Sequence, residues 1–279
     1  MRHLSSTQLL TYANCPRQYY FHYIEKITKP TTSPHLVYGG VLHKALEEFN
    51  KSLIAVPLTE QEVIDVFEKT WEKELNKSKI EFKRYSENDF KEMGKKSLIQ
   101  FFKHINYEPM ICYDSKENKV PAVEYEFTIP VINIDNTINE NYCLFGVIDL
   151  IAQVNKNLIV FDHKTSKDPY DDFKIQTSIQ LILYAYACRD ILSRGLMLDT
   201  DKVKEDYVAF NIFVKDYKKP SPRIQQCQRR ISDDDITNLH HIILSTIRGI
   251  ENDVFIPNYG QNCFMCDYRE ECLKFKYKR

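Results

Sequence analysis

Apolar positions recur along the chain first with helical and then with strand spacing. Ser5-x-x-Gln8 has the form of a capping box ahead of Leu9-Leu10-Thr11-Tyr12-Ala13, and Cys15-Pro16 predicts a second short helix over about 16–23 with proline at its first position. That helix carries Tyr19, Tyr20, Phe21 and Tyr23, read as core aromatics. After a loop at 28–34, Leu42, Ala45, Leu46 and Phe49 share one face of a helix expected to start near His43. Val63, Val66, Phe67 and Trp71, and then Leu98, Phe101 and Phe102, predict helices over about 59–77 and 86–105. Near Val120 the period shortens to two, and 123–129, 142–154 and 158–161 read as consecutive strands. A long helix over 173–193, strands at 207–214 and 223–231 and a last helix at 233–250 complete the pattern. The order predicts an α/β protein: one domain over 1–279, with a sheet core at 120–250, a helical elaboration at 40–110 and terminal segments 1–30 and 255–279 outside the core.

Composition narrows the chemistry. With 38 Lys and Arg against 39 Asp and Glu the formal charge is −1, so a polyanionic ligand would have to meet a local basic patch. Apolar residues at 43% and charged residues at 28% exclude wholesale disorder. The 7 glycines form neither GxGxxG nor GxxxxGK[ST], which argues against Rossmann cofactor binding and P-loop ATPase chemistry. No run of about 18 apolar residues and no secretory apolar core at the start predict a cytoplasmic, intracellular protein without a membrane partner. There, eight cysteines are better read as ligands or buried thiols than as disulfides.

Two carboxylates interrupt apolar strands. Asp149 lies inside Leu144-Phe145-Gly146-Val147-Ile148-Asp149-Leu150-Ile151-Ala152, and Asp162 and Lys164 end the next strand with His163 turned to the other face. If Asn155-Lys156 form a two-residue hairpin loop, Val154 pairs with Asn157 and Asp149 stands opposite Asp162. Two close carboxylates repel and so suit a divalent cation, with Lys164 near enough to orient a water; an ion pair with Lys164 alone is the competing reading. Gln180 and Tyr184, four apart, share a helix face.

At these residues the sequence resembles the PD-(D/E)XK nuclease superfamily, and within it the RecB-like branch that carries an iron-sulfur cluster, including CRISPR-associated exonucleases and phage relatives. Gly146-Val147-Ile148-Asp149 matches its G-x-[IV]-D strand, Asp162-His163-Lys164-Thr165 its D-x-K-T, Gln180 to Tyr184 its Q-x-x-x-Y helix, and Val41-Leu42-His43 its histidine motif. Ser6 to Tyr20, with Cys15-Pro16, resembles its amino-terminal segment. His163 stands where an aromatic is commoner, though the family uses that residue's backbone carbonyl. The resemblance implies a restriction-endonuclease-like mixed sheet flanked by helices and a DNA nuclease, an exonuclease on single strands or duplex ends. His43, Asp149, Asp162 and the His163 carbonyl would hold Mg²⁺ or Mn²⁺, Lys164 would position water or neutralise the phosphate, and Gln180 and Tyr184 would brace the site or contact DNA. A catalytically silent DNA-binding subunit is the alternative. No helicase motor is evident, so any unwinding falls to a separate helicase, with CRISPR adaptation or recombination as the compatible settings.

Cys263-x-x-Cys266 and Cys272 lie in a tail with little apolar content, which makes a metal its natural organiser. Cys15 is the fourth ligand chosen, tying the termini together; spacing leaves zinc and a 4Fe-4S cluster equally open, and the resemblance favours the cluster. Cys112, Cys143, Cys188 and Cys227 read as buried thiols. Arg17, Lys274 and Lys276 are candidates for a basic DNA-binding rim around the cysteines.

Overall fold

The computed structural model describes residues 1–27, 33–77, 80–114, 116–198, 200, 206–215 and 222–276. In chain order the elements are β1 (Arg2–Leu4), α1 (Ser6–Asn14), α2 (Pro16–Tyr19), α3 (Pro34–Ser52), α4 (Glu60–Lys77), α5 (Glu87–Phe102), β2 (Glu108–Pro109), β3 (Ile111–Tyr113), β4 (Lys119–Pro121), β5 (Val123–Ile132) and β6 (Ile138–Val154). They continue with β7 (Asn157–Ser166), α6 (Asp172–Gln176), α7 (Ile179–Ser193), β8 (Asp206–Val214), β9 (Arg223–Arg229), α8 (Asp233–Glu251) and α9 (Arg269–Lys274). A π-helical turn over Tyr20–Ile24 extends α2. The chain gathers into two compact units, one of residues 1–30, 128–145 and 233–279, the other of residues 31–127 and 146–232.

The larger unit is built on the β6–β7 hairpin. Asn155 and Lys156 both adopt positive φ, 50° and 70°, as a two-residue type I′ turn requires. Their turn sets the antiparallel register Val154↔Asn157 through Leu150↔Phe161, as the turn sequence predicts. β7 pairs with β8 in parallel and β8 with β9 antiparallel, giving a mixed sheet. β2 adds a short antiparallel pairing to the end of β6. Helices flank the sheet. α3, α4 and α5 bury Tyr38, Leu42, Leu46, Phe67, Trp71 and Phe90 in one cluster with Phe161, Ala209 and Phe213 of the strands. α7 packs against β7 and β8.

Two helix boundaries differ from the sequence expectation. α3 begins at Pro34 and not near His43, so Gly39 and Gly40 lie inside the helix; residues 28–32 of the expected loop lie outside the described residues. Absence of a side chain at Gly39 brings α3 close to β7, since a Cβ there would stand 3.3 Å from the Thr165 hydroxyl oxygen. The expected 173–193 helix is broken in two at Thr177-Ser178. The Ser178 hydroxyl accepts the Leu181 N–H and starts α7 afresh, a local bond that competes with helix continuation.

In the smaller unit β1 runs parallel to the start of β6, pairing His3 with Cys143. Ser5 and Gln8 form the expected reciprocal capping box on α1. Tyr12 lies over Gly249 of α8, where a Cβ would meet its hydroxyl at 1.9 Å, and donates to the Val254 carbonyl at 2.7 Å. Tyr19 and Phe21 are buried as expected of core aromatics. Among the described residues no helix is long and apolar enough to cross a membrane.

Gly94 of α5 faces the ring of buried Phe67, and a Cβ would lie 2.1 Å from its Cζ. Gly94→Ala is expected to overpack this cluster and cost about 1–3 kcal/mol, read as a lower urea midpoint at unchanged slope.

Candidate active site

Four elements of the larger unit deliver the candidate residues. α3 presents His43, β5 Glu124, β6 Asp149, and β7 Asp162, His163 and Lys164. The β6–β7 ladder ends at Leu150↔Phe161, and one step further the Asp149 carboxylate accepts the His163 backbone N–H at 2.7 Å. A side chain thus takes a main-chain donor at the point where ladder pairing stops. His43 Nδ1 lies 3.4 Å from the same carboxylate, and Lys164 Nζ lies 2.6 Å from Asp162.

Burial decides the electrostatics. Asp162 is 1% exposed and Asp149 8%. Loss of hydration raises both carboxyl groups above the usual range; Asp149 repels charge on Asp162, while Lys164 pulls each back down. Burial also lowers the His43 imidazole, against the attraction of Asp162. The His163 side chain turns to the opposite face, where Phe101 and Phe213 meet it. Burial holds it well below its ordinary value, and among the described residues neither ring nitrogen has a partner.

Glu124 completes a group that sequence reading did not anticipate. One ligand atom each of His43, Glu124 and Asp149 lie within 4.8 Å of one another. Among the described residues no other His, Cys, Asp and Glu trio meets that limit, so Asp162 stands beside the group and not within it. Burial, then Asp149 and Glu47, push the Glu124 carboxyl up to about 7. Its φ of 49° is left-handed, an unusual state for a glutamate that costs on the order of 1–3 kcal/mol. The alternation Val123-Glu124-Tyr125-Glu126-Phe127 reads as an ordinary strand with a wet face, and only the backbone reversal at Glu124 betrays the site.

Gln180 Nε2 donates to the Tyr184 hydroxyl at 3.0 Å, as their shared helix face predicts. Tyr184 is buried edge-on to Phe127, and Gly146 lies between them: a Cβ there would come within 2.6 Å of the Phe127 ring and 3.5 Å of Tyr184. His43, Glu124, His163, Lys164 and Thr165 line a cleft of about 440 Å³ that also reaches His35, Gly39 and Glu47.

The cysteine residues converge in the smaller unit. Cys15, Cys263, Cys266 and Cys272 line one cavity of about 110 Å³. Cys112, Cys143 and Cys188 are buried, whereas Cys227 is half-buried. Arg17 departs from its expected role as a DNA contact. It is 3% exposed, donates from Nε to the Phe255 carbonyl at 2.7 Å and lies 3.7 Å from the centre of the Phe275 ring, so it braces the tail. Lys274, 3.6 Å from Glu270, and Lys276 remain exposed.

The model of the PD-(D/E)XK nuclease superfamily matches residues 3–273. The chain belongs to the PD-(D/E)XK nuclease superfamily. No curated protein matches the sequence. Among solved structures, one described as a "putative exonuclease" from Eubacterium rectale is similar at 11% identity over 99% of this chain and 89% of that one, with a TM-score of 0.53. Another, titled SSO0001, shares 15% identity over 98% of this chain and 87% of its own, with a TM-score of 0.42. For this PD-(D/E)XK member, the mixed α/β sheet and an acidic candidate metal site agree with the family.

The buried carboxylates imply a pH signature. Asp162 has a folded-state pKa raised above its unfolded value near 3.9, so its ionisation costs nothing below about pH 4 and the full penalty applies above the folded value. Asp162→Asn is therefore expected to stabilise the metal-free protein at pH 8 by on the order of 1 kcal/mol or more, with the gain vanishing near pH 4. Chemical denaturation across that range in EDTA checks it.

Proposed function

We propose that the protein is a divalent-cation-dependent deoxyribonuclease acting from single strands or duplex ends. The observation that carries this reading is the pair of buried carboxylates, Asp149 and Asp162, set with Lys164 beside an open cleft at the point where the hairpin ladder ends. The donor set suits a hard dication: three oxygen or nitrogen ligands within 4.8 Å, and an Asp162 Oδ1 that is buried without a partner. His43, Glu124 and Asp149 would hold Mg²⁺ or Mn²⁺, with Asp162 and the His163 carbonyl adjoining. Such an ion supplies Lewis-acid polarisation of a phosphate and a nucleophile at neutral pH.

The remaining chemistry belongs to the chain. Asp162 fixes the Lys164 ammonium, which neutralises charge growing on the phosphoryl oxygens. The His163 N–H fixes the Asp149 carboxylate and so keeps its other lone pairs aimed away from the ladder. Gln180 and Tyr184, joined by a hydrogen bond on α7 with Tyr184 near both acids, would brace the site or contact the DNA backbone. The description of the Eubacterium rectale fold neighbour as an exonuclease supports end-directed cleavage.

The four cysteines that line one cavity support a bound metal centre, and the family resemblance favours a 4Fe-4S cluster over zinc. The cluster would organise a tail whose Phe264, Met265 and Leu273 are all exposed.

End-labelled DNA should be degraded with Mn²⁺ or Mg²⁺ and left intact in EDTA, and Lys164→Ala should lower the rate about a hundredfold or more. Folded wild-type protein that binds DNA but cleaves it with neither metal would refute the nuclease. For the cluster, anaerobic purification should give brown protein with matched iron and sulfide, and Cys266→Ser should lose both; colourless protein containing zinc refutes the cluster.

A further inference from the structure

Beyond the acidic group, His35 and Thr165 line the same cleft, and Lys215, outside that lining, lies near His35. Lys215 directly follows β8, and its backbone N–H donates to the Ser166 carbonyl at 2.7 Å, which carries the β7–β8 pairing one residue past its last rung. Odd-numbered residues of both strands face α3, so Thr165 and Lys215 come out on one side of the sheet with Phe161 and Phe213 below them. Thr165 lines the cleft against Gly39. His35 lines it from the first turn of α3, eight residues and about 12 Å of axial rise before His43.

Lys215 is half-buried, and its ammonium lies 5.7 Å from the centre of the Tyr38 ring. Burial lowers its pKa, and among the described residues no carboxylate offsets that cost. It lies close enough to His35 for its charge to disfavour the imidazolium. A half-buried cation near a histidine, with no acidic partner among the described residues, favours an anion.

We propose that Lys215, with His35 and the Thr165 hydroxyl, seats a non-scissile phosphate of the nucleic-acid strand whose scissile phosphate lies at Lys164. The seat rests on the nuclease reading and deepens it. A contact at this distance from the carboxylates adds binding energy along the strand and disfavours substrates too short to reach it. Glu47, four residues past His43 on α3, and Glu124 of β5 line the same cleft, where a cation and not a phosphate oxygen belongs.

The test uses the full chain and a labelled single-stranded oligodeoxynucleotide in Mn²⁺. Lys215→Met keeps the stem against Tyr38 and removes the charge. KM should rise about tenfold, the order of one charge-assisted hydrogen bond. The dependence of log kcat/KM on log salt should flatten by about 0.7, the single-strand value for one phosphate contact. Lys215→Arg should restore both. Independently of any variant, replacing backbone phosphates one at a time with methylphosphonates should reveal a non-scissile position that costs the wild type a similar factor. If Lys215→Met folds and keeps the wild-type KM and salt slope, or if no non-scissile methylphosphonate matters, the seat is wrong while the nuclease stands. A wild type that cleaves no DNA defeats the nuclease reading and the seat together.

Discussion

Two carboxylates taken out of water at the end of one hairpin set the terms for the larger unit. An ionised carboxylate left unpaired in an apolar interior costs several kcal/mol, and Asp149 sits close enough to Asp162 to raise its proton affinity. The surrounding elements answer that cost in turn. The hairpin gives up a ladder position so that Asp149 can take a main-chain N–H, Lys164 pairs with Asp162, and α3 brings His43 alongside. Gly39 and Gly146 omit side chains where α3 and Phe127 must close in. The core beneath, with Phe161, Phe213 and the α3–α5 aromatics, is the stiff support that makes such an arrangement affordable in stability.

The strain and the missing partners gather at the same place. Glu124 has a left-handed backbone, Asp162 Oδ1 has no donor, and His163 lies buried with both ring nitrogens unsatisfied. Such features persist where the fold around them over-determines the geometry, and they concentrate at functional sites. Their coincidence around one cleft is a physical argument for function that does not depend on family membership.

The hairpin was legible because its signal is local: Asn155-Lys156 dictates a turn, the turn dictates register, and register brings Asp149 and Asp162 together. The Gln180–Tyr184 pair and the Ser5 capping box were legible for the same reason, as spacing rules within one helix. Long-range requirements were not. Gly39-Gly40 reads as a helix lead-in, because nothing nearby in sequence reveals that Thr165 must be approached. Glu124 hides in strand alternation, since its role comes from Asp149 and His43, residues distant in the chain. Arg17 reads as a surface cation because its partners, Phe255 and Phe275, lie at the far end of the sequence.

That same distance orders events during synthesis. The smaller unit is assembled from residues 1–30, 128–145 and 233–279, and its cysteine cavity draws on Cys15 and Cys272. The first thiol emerges from the ribosome long before its companions, and at about 5–20 residues per second it waits tens of seconds for them. By the time Cys263 emerges, every residue of the larger unit, the last at 232, is already available to fold. The larger unit can therefore fold first, and assembly of the cysteine-lined cavity becomes a late step.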